Sequence, residues 1–133
     1  MKLLLDTHVW VWAAEDPRQL GPLLRRLLKD QKNDRVVCAA STLEIARLVR
    51  SGDIELQIPL QEWVERSLLD LRADSMPVTD DIAIEAYRLP EPFHRDPADR
   101  MLVACARLHE LTIATADARI LDWPHVSSLD ARR

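Results

Sequence analysis

The 133-residue chain reads as an α/β domain, a mainly parallel sheet held between two layers of helices. Its strands show as short uninterrupted apolar runs, Leu3-Leu4-Leu5, Val36-Val37-Cys38-Ala39 and Ile113-Ala114, the pattern of strands covered on both faces. Between them lie stretches with apolar residues at helical spacing, so strands and helices alternate. Acids stand close to these runs, and a parallel sheet carries its functional loops at the carboxyl ends of its strands.

In order along the chain, Lys2–Leu5 predicts the first strand, and a helix of a turn or two starts near His8 or Val9 and breaks at Asp16-Pro17. Leu20, Leu23, Leu24, Leu27 and Leu28 recur at i, i+3, i+4, i+7 and i+8, which predicts an amphipathic helix through Lys29. Arg35–Ala39 is the second strand. Ser41-Thr42-Leu43-Glu44 opens a helix that ends at Ser51-Gly52, with the glycine as C-cap. After an extended or looping Ile54–Pro59, a helix over Leu60–Leu71 turns Trp63, Val64, Leu68 and Leu71 inward. Met76-Pro77-Val78 is a brief edge strand, and Asp80 or Asp81 caps a helix through Tyr87. Pro90–Arg95 is irregular. Asp96-Pro97 begins a helix to about His109, since proline favours the first helical position. Strand Thr112–Thr115, a helical turn over Ala116–Leu121 and an edge strand Val126–Leu129 follow.

No linker, repeat or low-complexity stretch divides the chain, so residues 1–133 are read as one domain, long enough to bury about two-thirds of the unfolded surface. No apolar run approaches the ~20 residues of a membrane span. Asp6 interrupts the one N-terminal apolar run that could serve as a leader, so cytoplasmic residence is expected. Cys38 and Cys105 lie in apolar segments and read as buried reduced thiols, and with four scattered histidines they make no zinc-finger-type set. A net charge of −4 argues against simple electrostatic wrapping of nucleic acid, although a cation in an acidic pocket reverses the sign locally. The excess of arginine over lysine suits phosphate forks and equally tracks base composition. Neither Gly21 nor Gly52 sits in a phosphate-cradle context, which excludes a glycine-rich nucleotide loop.

Asp6, Glu44, Asp99 and Asp117 are the candidate site residues, and each also has an ordinary structural explanation. Asp6 and Asp117 follow strands, where aspartate commonly caps the next helix. Ser41-x-x-Glu44 has the spacing of a capping box. Asp96, Pro97 and Asp99 occupy N-cap, N1 and N3 of one helix, where carboxylates favour the dipole. Asp99 leads into the apolar face Leu102, Val103 and Ala106 and is the better ligand; Asp96 reads as the cap. Carboxylates held together away from water repel unless a hard divalent cation binds them, so the set predicts a Mg²⁺- or Mn²⁺-dependent enzyme acting on phosphates. His8 and His94 flank the site, but a metal can activate water without a histidine. Arg100 either holds a substrate phosphate or, the favoured reading, pairs with a neighbouring acid to fix its geometry. Trp10 and Trp12, two apart, cannot share a helix face: one belongs to the core, the other to a partner or dimer surface.

Leu4-Leu5-Asp6-Thr7-His8, Glu44 early in a helix, His94-x-Asp96-Pro97-x-Asp99-Arg100 and Thr115-x-Asp117 together resemble the PIN-domain nucleases, and among them the VapC toxins of bacterial toxin–antitoxin pairs. The similarity runs from Lys2 to about Leu129. The resemblance implies a PIN-like three-layer α/β/α fold with Asp6, Glu44, Asp99 and Asp117 as the catalytic, metal-binding quartet. Asp6 and Asp99 would be the direct ligands, with Thr7 and Thr115 as hydroxyls near the metal. It further implies Mg²⁺ or Mn²⁺ as cofactor and endonucleolytic cleavage of RNA leaving a 3′-hydroxyl and a 5′-phosphate. A VapB-like antitoxin as inhibitor and a homodimer are implied as well. Ala98 departs from the family, where a bulkier, commonly aromatic residue is usual. Two rival readings are a non-catalytic PIN scaffold that binds RNA or protein, and a Mg²⁺-dependent aspartyl-phosphate phosphatase. The second needs another Asp two residues after the first, where this chain has His8.

Overall fold

A computed structural model describes residues 1–133. Strand β1 (Lys2–Leu5) is central, with β2 (Asp34–Cys38) and then β3 (Ala73–Met76) on one side and β4 (Thr112–Thr115) and then β5 (Ser128–Asp130) on the other. All four pairings are parallel, and Leu4 stands beside Val36 on one neighbour and Ile113 on the other. Side chains alternate across the pleat, so Leu4, Val36, Cys38 and Ile113 feed one core while Leu3, Leu5, Val37 and Ala114 feed the other. This double burial is why the strands are continuously apolar.

Helices α1 (Thr7–Glu15), α2 (Pro22–Lys29) and α4 (Leu60–Leu71) cover the second core, with Val9, Trp10, Leu24 and Trp63 inward. Helices α5 (Asp80–Glu85), α6 (Pro97–His109) and α7 (Ala118–Leu121) cover the first, through Ile82, Leu102, Val103 and Ile120. Helix α3 (Ala39–Ser51) leaves β2 directly and contributes Ala40 to one core and Ile45 to the other. It ends at Gly52, whose φ of 83° is the left-handed conformation glycine adopts freely. Gly21 precedes α2 where a Cβ would come within 2.2 Å of the Arg133 backbone, so no larger residue fits. No helix is long and apolar enough to cross a membrane.

The expected elements are present with shifted bounds: the final strand is Ser128–Asp130 rather than Val126–Leu129, α5 ends at Glu85 rather than Tyr87, and three further shifts bear on caps and pairing. Helix α3 begins at Ala39 with Cys38 as its N-cap, so Ser41 is inside the helix and Ser41-x-x-Glu44 is no capping box. The third strand is Ala73–Met76 rather than Met76–Val78, paired with β2 so that Cys38 stands beside Met76. Pro77 has no N–H to donate, and an edge strand is made by backbone pairing more than by apolar side chains. Thr79, not Asp80 or Asp81, caps α5, its hydroxyl accepting from the Ile82 amide. Cys38 and Cys105 are buried free thiols, as read.

Candidate functional site

The chain leaves β1 toward one helical layer through α1 and leaves β4 toward the other through α7. Neighbouring parallel strands whose connections diverge in this way open a crevice at their carboxyl ends, the usual ligand position in such sheets. Asp6 sits at its floor. Its amide donates to the Ala114 carbonyl at 3.0 Å, and its carboxylate accepts from the Thr7 amide at 2.7 Å and the Thr115 hydroxyl at 2.6 Å. One carboxylate therefore caps α1 and ties β1 to β4. Thr115 in turn accepts from the Asp117 amide at 3.0 Å, which fixes the turn that carries Asp117. The Thr7 hydroxyl reaches Ser41 at 2.9 Å and ties α1 to α3, where Glu44 lies one turn further on.

Helix α6 supplies the remaining acids. Asp96 is its N-cap, one oxygen accepting from the Ala98 amide at 2.9 Å and the Asp99 amide at 3.4 Å, and Pro97 follows at N1. Asp99, one turn in, points back into the crevice. Asp6, Glu44, Asp96, Asp99 and Asp117 together line a cavity of about 260 Å³, with Trp12 and Arg119 at its sides. All four acids singled out from sequence thus meet there, and Asp96, read as a cap alone, joins them while capping.

Arg100 faces away from this cavity. Its buried guanidinium donates to the carbonyls of Ala86, Phe93 and His94 at 3.0–3.1 Å and to Glu91 at 2.6 Å. It is the strut of the irregular loop before α6, and the phosphate-holding alternative has no geometry to support it. What the strut presents is His94, whose Nε2 stands 3.3 Å from Asp99 Oδ2. Neither ring nitrogen has a hydrogen-bond partner, although both are shut off from solvent. Trp10 is core, as one of the pair was expected to be, while Trp12 lines the acidic cavity.

The charges conflict. Burial, then the neighbouring carboxylates of Asp6, Asp96, Glu44 and Asp117, push Asp99 up to about 7 from an ordinary 3.8. Burial also raises Asp6, whose hydrogen bonds from Thr115 and Thr7 pull the other way. Glu44 is raised by burial and by Asp96 and Asp6. Asp117 alone is lowered, because Arg119 forks onto it with Nε at 3.1 Å and Nη2 at 2.8 Å. Burial and the Arg119 charge lower His94, which leaves its imidazole neutral at pH 7. Two donor groups, His94–Asp99–Asp117 and Glu44–Asp96–Asp99, each bring one atom per residue within 4.8 Å of the others. Clustered oxygens of raised pKa beside an unpartnered neutral imidazole suit a divalent cation that takes oxygen and nitrogen donors.

Fold and site together define a class. Residues 3–125 match the model of the PIN domain, and the chain belongs to that family. Within it, the chain is 31% identical over 123 residues to Ribonuclease VapC22 of Mycobacterium tuberculosis, covering 92% of both chains. Solved structures agree in fold. VapBC2 from Rickettsia felis bound to a fragment of its promoter DNA matches with TM-score 0.70 at 15% identity, covering 97% of this chain and 98% of that one. A toxin–antitoxin complex from Klebsiella pneumoniae matches with TM-score 0.67 at 15% identity, covering 97% of each.

Proposed function

We propose that the chain is the ribonuclease toxin of a VapBC-type pair, cutting RNA phosphodiester bonds at a divalent metal held in the acidic cavity. The observation that carries the reading is the convergence of four carboxylates on Asp99, whose burial leaves it hard to ionise until a cation arrives. The relative named as a ribonuclease supports the substrate class. Toxin–antitoxin complexes among the structural neighbours support a VapB-like antitoxin as partner. A single PIN domain acting as a homodimer in the cytoplasm completes the proposal.

Asp6 and Asp99 would be the direct ligands for Mg²⁺ or Mn²⁺, with Glu44 and Asp117 completing the site. The bound ion would make water a nucleophile near neutral pH and offset charge on the scissile phosphate. The chain's own residues set the geometry. Thr115 and the Thr7 amide hold the Asp6 carboxylate in one orientation, Asp96 fixes the first turn of α6 under Asp99, and Arg100 holds the loop that carries His94 beside Asp99. Trp12 and the α6 start shield the acids, which strengthens their pull on a cation.

The test is cleavage of total RNA by Asp6→Asn and Asp99→Asn, with new 5′ ends mapped across the transcriptome. Loss of new ends in both variants, with folding retained, supports the assignment. Wild-type cleavage by either variant in Mg²⁺ removes that residue from the site. Tight Mn²⁺ binding with no cleavage of any RNA pool would favour the non-catalytic scaffold instead.

A further inference from the structure

We propose that Arg119 is the residue that grips a phosphate of the RNA beside the reacting bond, and that the metal's own carboxylates are its resting place. The proposal rests on the metal-dependent nuclease reading and adds to it a substrate-binding residue.

The Arg119 guanidinium reaches two of the carboxylates that would hold a cation. It forks onto Asp117, and its Nη2 is also 3.8 Å from Asp99 Oδ2. Asp99 and Asp117, with His94, are the residues whose donor atoms gather within 4.8 Å. A bound divalent ion and this guanidinium would compete for the same two carboxylates, and the doubly charged ion wins such a contest at close range. Arg119 is free to leave, since its side chain is 60% exposed. Asp117 does not depend on it for orientation. The Asp117 amide donates to Thr115, and its carboxylate keeps the Arg119 backbone amide at 2.9 Å.

The displaced guanidinium has one obvious place to go. Arg119 forms the wall between the acidic cavity and an adjoining cavity of about 410 Å³, lined otherwise by Pro92, Phe93, His94 and Arg95. None of those residues is acidic. A guanidinium turned into that cavity stands near a second arginine with no carboxylate to pair with, so its complement is an external anion. The planar fork that now fits a carboxylate fits a phosphate equally well. The metal thereby switches Arg119 from the acids to the substrate. The plainer alternative is that Arg119 only braces Asp117, and the two make opposite predictions for metal affinity.

The test uses purified wild-type protein, Arg119→Gln and Arg119→Lys in two measurements. Mn²⁺ affinity is read by the EPR signal of free ion. RNA affinity is read by anisotropy of a short fluorescein-labelled single-stranded RNA of random sequence, in Ca²⁺ to hold back cleavage. Removing a competing exposed charge pair is expected to tighten Mn²⁺ binding by about two- to fivefold in Arg119→Gln. RNA affinity in Ca²⁺ should fall by about tenfold, the scale of one charge-assisted contact. Replacing Ca²⁺ with EDTA should weaken RNA binding in both proteins, by a larger factor in wild type than in Arg119→Gln. Arg119→Lys keeps the charge without the fork and should recover part of the RNA affinity. Unchanged or weakened Mn²⁺ binding in Arg119→Gln overturns the proposal in favour of the brace, and so does unchanged RNA affinity. If wild type binds no Mn²⁺ at all, the metal-site reading falls first and takes this proposal with it. If Mn²⁺ binds to wild type and variant alike, only the proposal falls.

Discussion

At the carboxyl end of the sheet, five acids crowd a cavity of about 260 Å³; at the amino end, a cleft of about 430 Å³ is rimmed by Arg25, Lys29, Arg35 and Arg72. The larger space lacks the crowding of like charges, although its buried Arg35 also keeps one nitrogen, Nε, without a hydrogen-bond partner. Its floor is Leu20, Leu28 and Leu71, its buried Arg35 closes α2 by donating to the Asp30 carbonyl at 3.2 Å, and its other charges stand at the rim. The smaller space is in electrostatic conflict, with Asp99 pushed up to about 7 by burial and then by its neighbours, and both His94 ring nitrogens without a hydrogen-bond partner. Crowded like charge, rather than volume, sets the proposed working end apart.

The comparison predicts very different sensitivities. The largest effect is on cleavage: Asp6→Asn or Asp99→Asn should lower RNA hydrolysis by at least about a thousandfold, the scale of losing a metal-generated nucleophile. Next is the pH dependence of metal-free stability. Asp99 binds its proton more tightly folded, near 7, than at its ordinary 3.8. Its contribution is therefore fully present below pH 3.8 and is lost as pH rises through 7, a decline of about 4 kcal/mol at about 1.4 kcal/mol per unit. Asp6 and Glu44 act in the same direction, and Asp117, held low by Arg119, acts in the opposite one. Urea midpoints in EDTA from pH 4 to 7.5 should fall in wild type and fall much less in Asp99→Asn; a rise would break the picture.

A smaller effect tests how the acidic end is held. Arg100→Met leaves three carbonyls and Glu91 without their donor and should cost about 2–4 kcal/mol in urea unfolding. It should weaken Mn²⁺ binding as well, since the loop bearing His94 loosens. The smallest effect belongs to the amino end. The double variant Arg25→Ala, Lys29→Ala removes exposed rim charges and should shift stability by no more than about 0.5 kcal/mol, with Mn²⁺ affinity at the wild-type value. A large loss of metal binding there would mean that the two ends are coupled.

Asp6, Asp99 and Asp117 were legible in the sequence because each sits at the boundary of an apolar run, where topology sends strand ends to a common crevice. Glu44 was obscured by an apparent capping box, which dissolves once the helix starts at Ala39. Strand β3 was misplaced because Ala73-Asp74-Ser75-Met76 has no apolar alternation, its place being set by pairing with β2. Asp96 caps α6 as its spacing from Pro97 predicts, but a carboxylate has two oxygens and sequence spacing says nothing of the second. His94 was noticed as a flanking residue, but not its placement, which is fixed by Arg100 through loop carbonyls. Arg119 carried no signal at all beyond lying two residues after Asp117, and only its fork onto that acid shows its part.

If the carboxyl-end acids form the proposed cation site, their crowding strains the protein whenever no cation offsets it. Thermal melts of wild type and Asp99→Asn, each in EDTA and in Mn²⁺, test it most directly. A crossing is expected: Asp99→Asn melts higher than wild type in EDTA, Mn²⁺ raises wild type substantially, and the variant gains little. A wild type indifferent to Mn²⁺, or an Asp99→Asn that melts lower in EDTA, would contradict it.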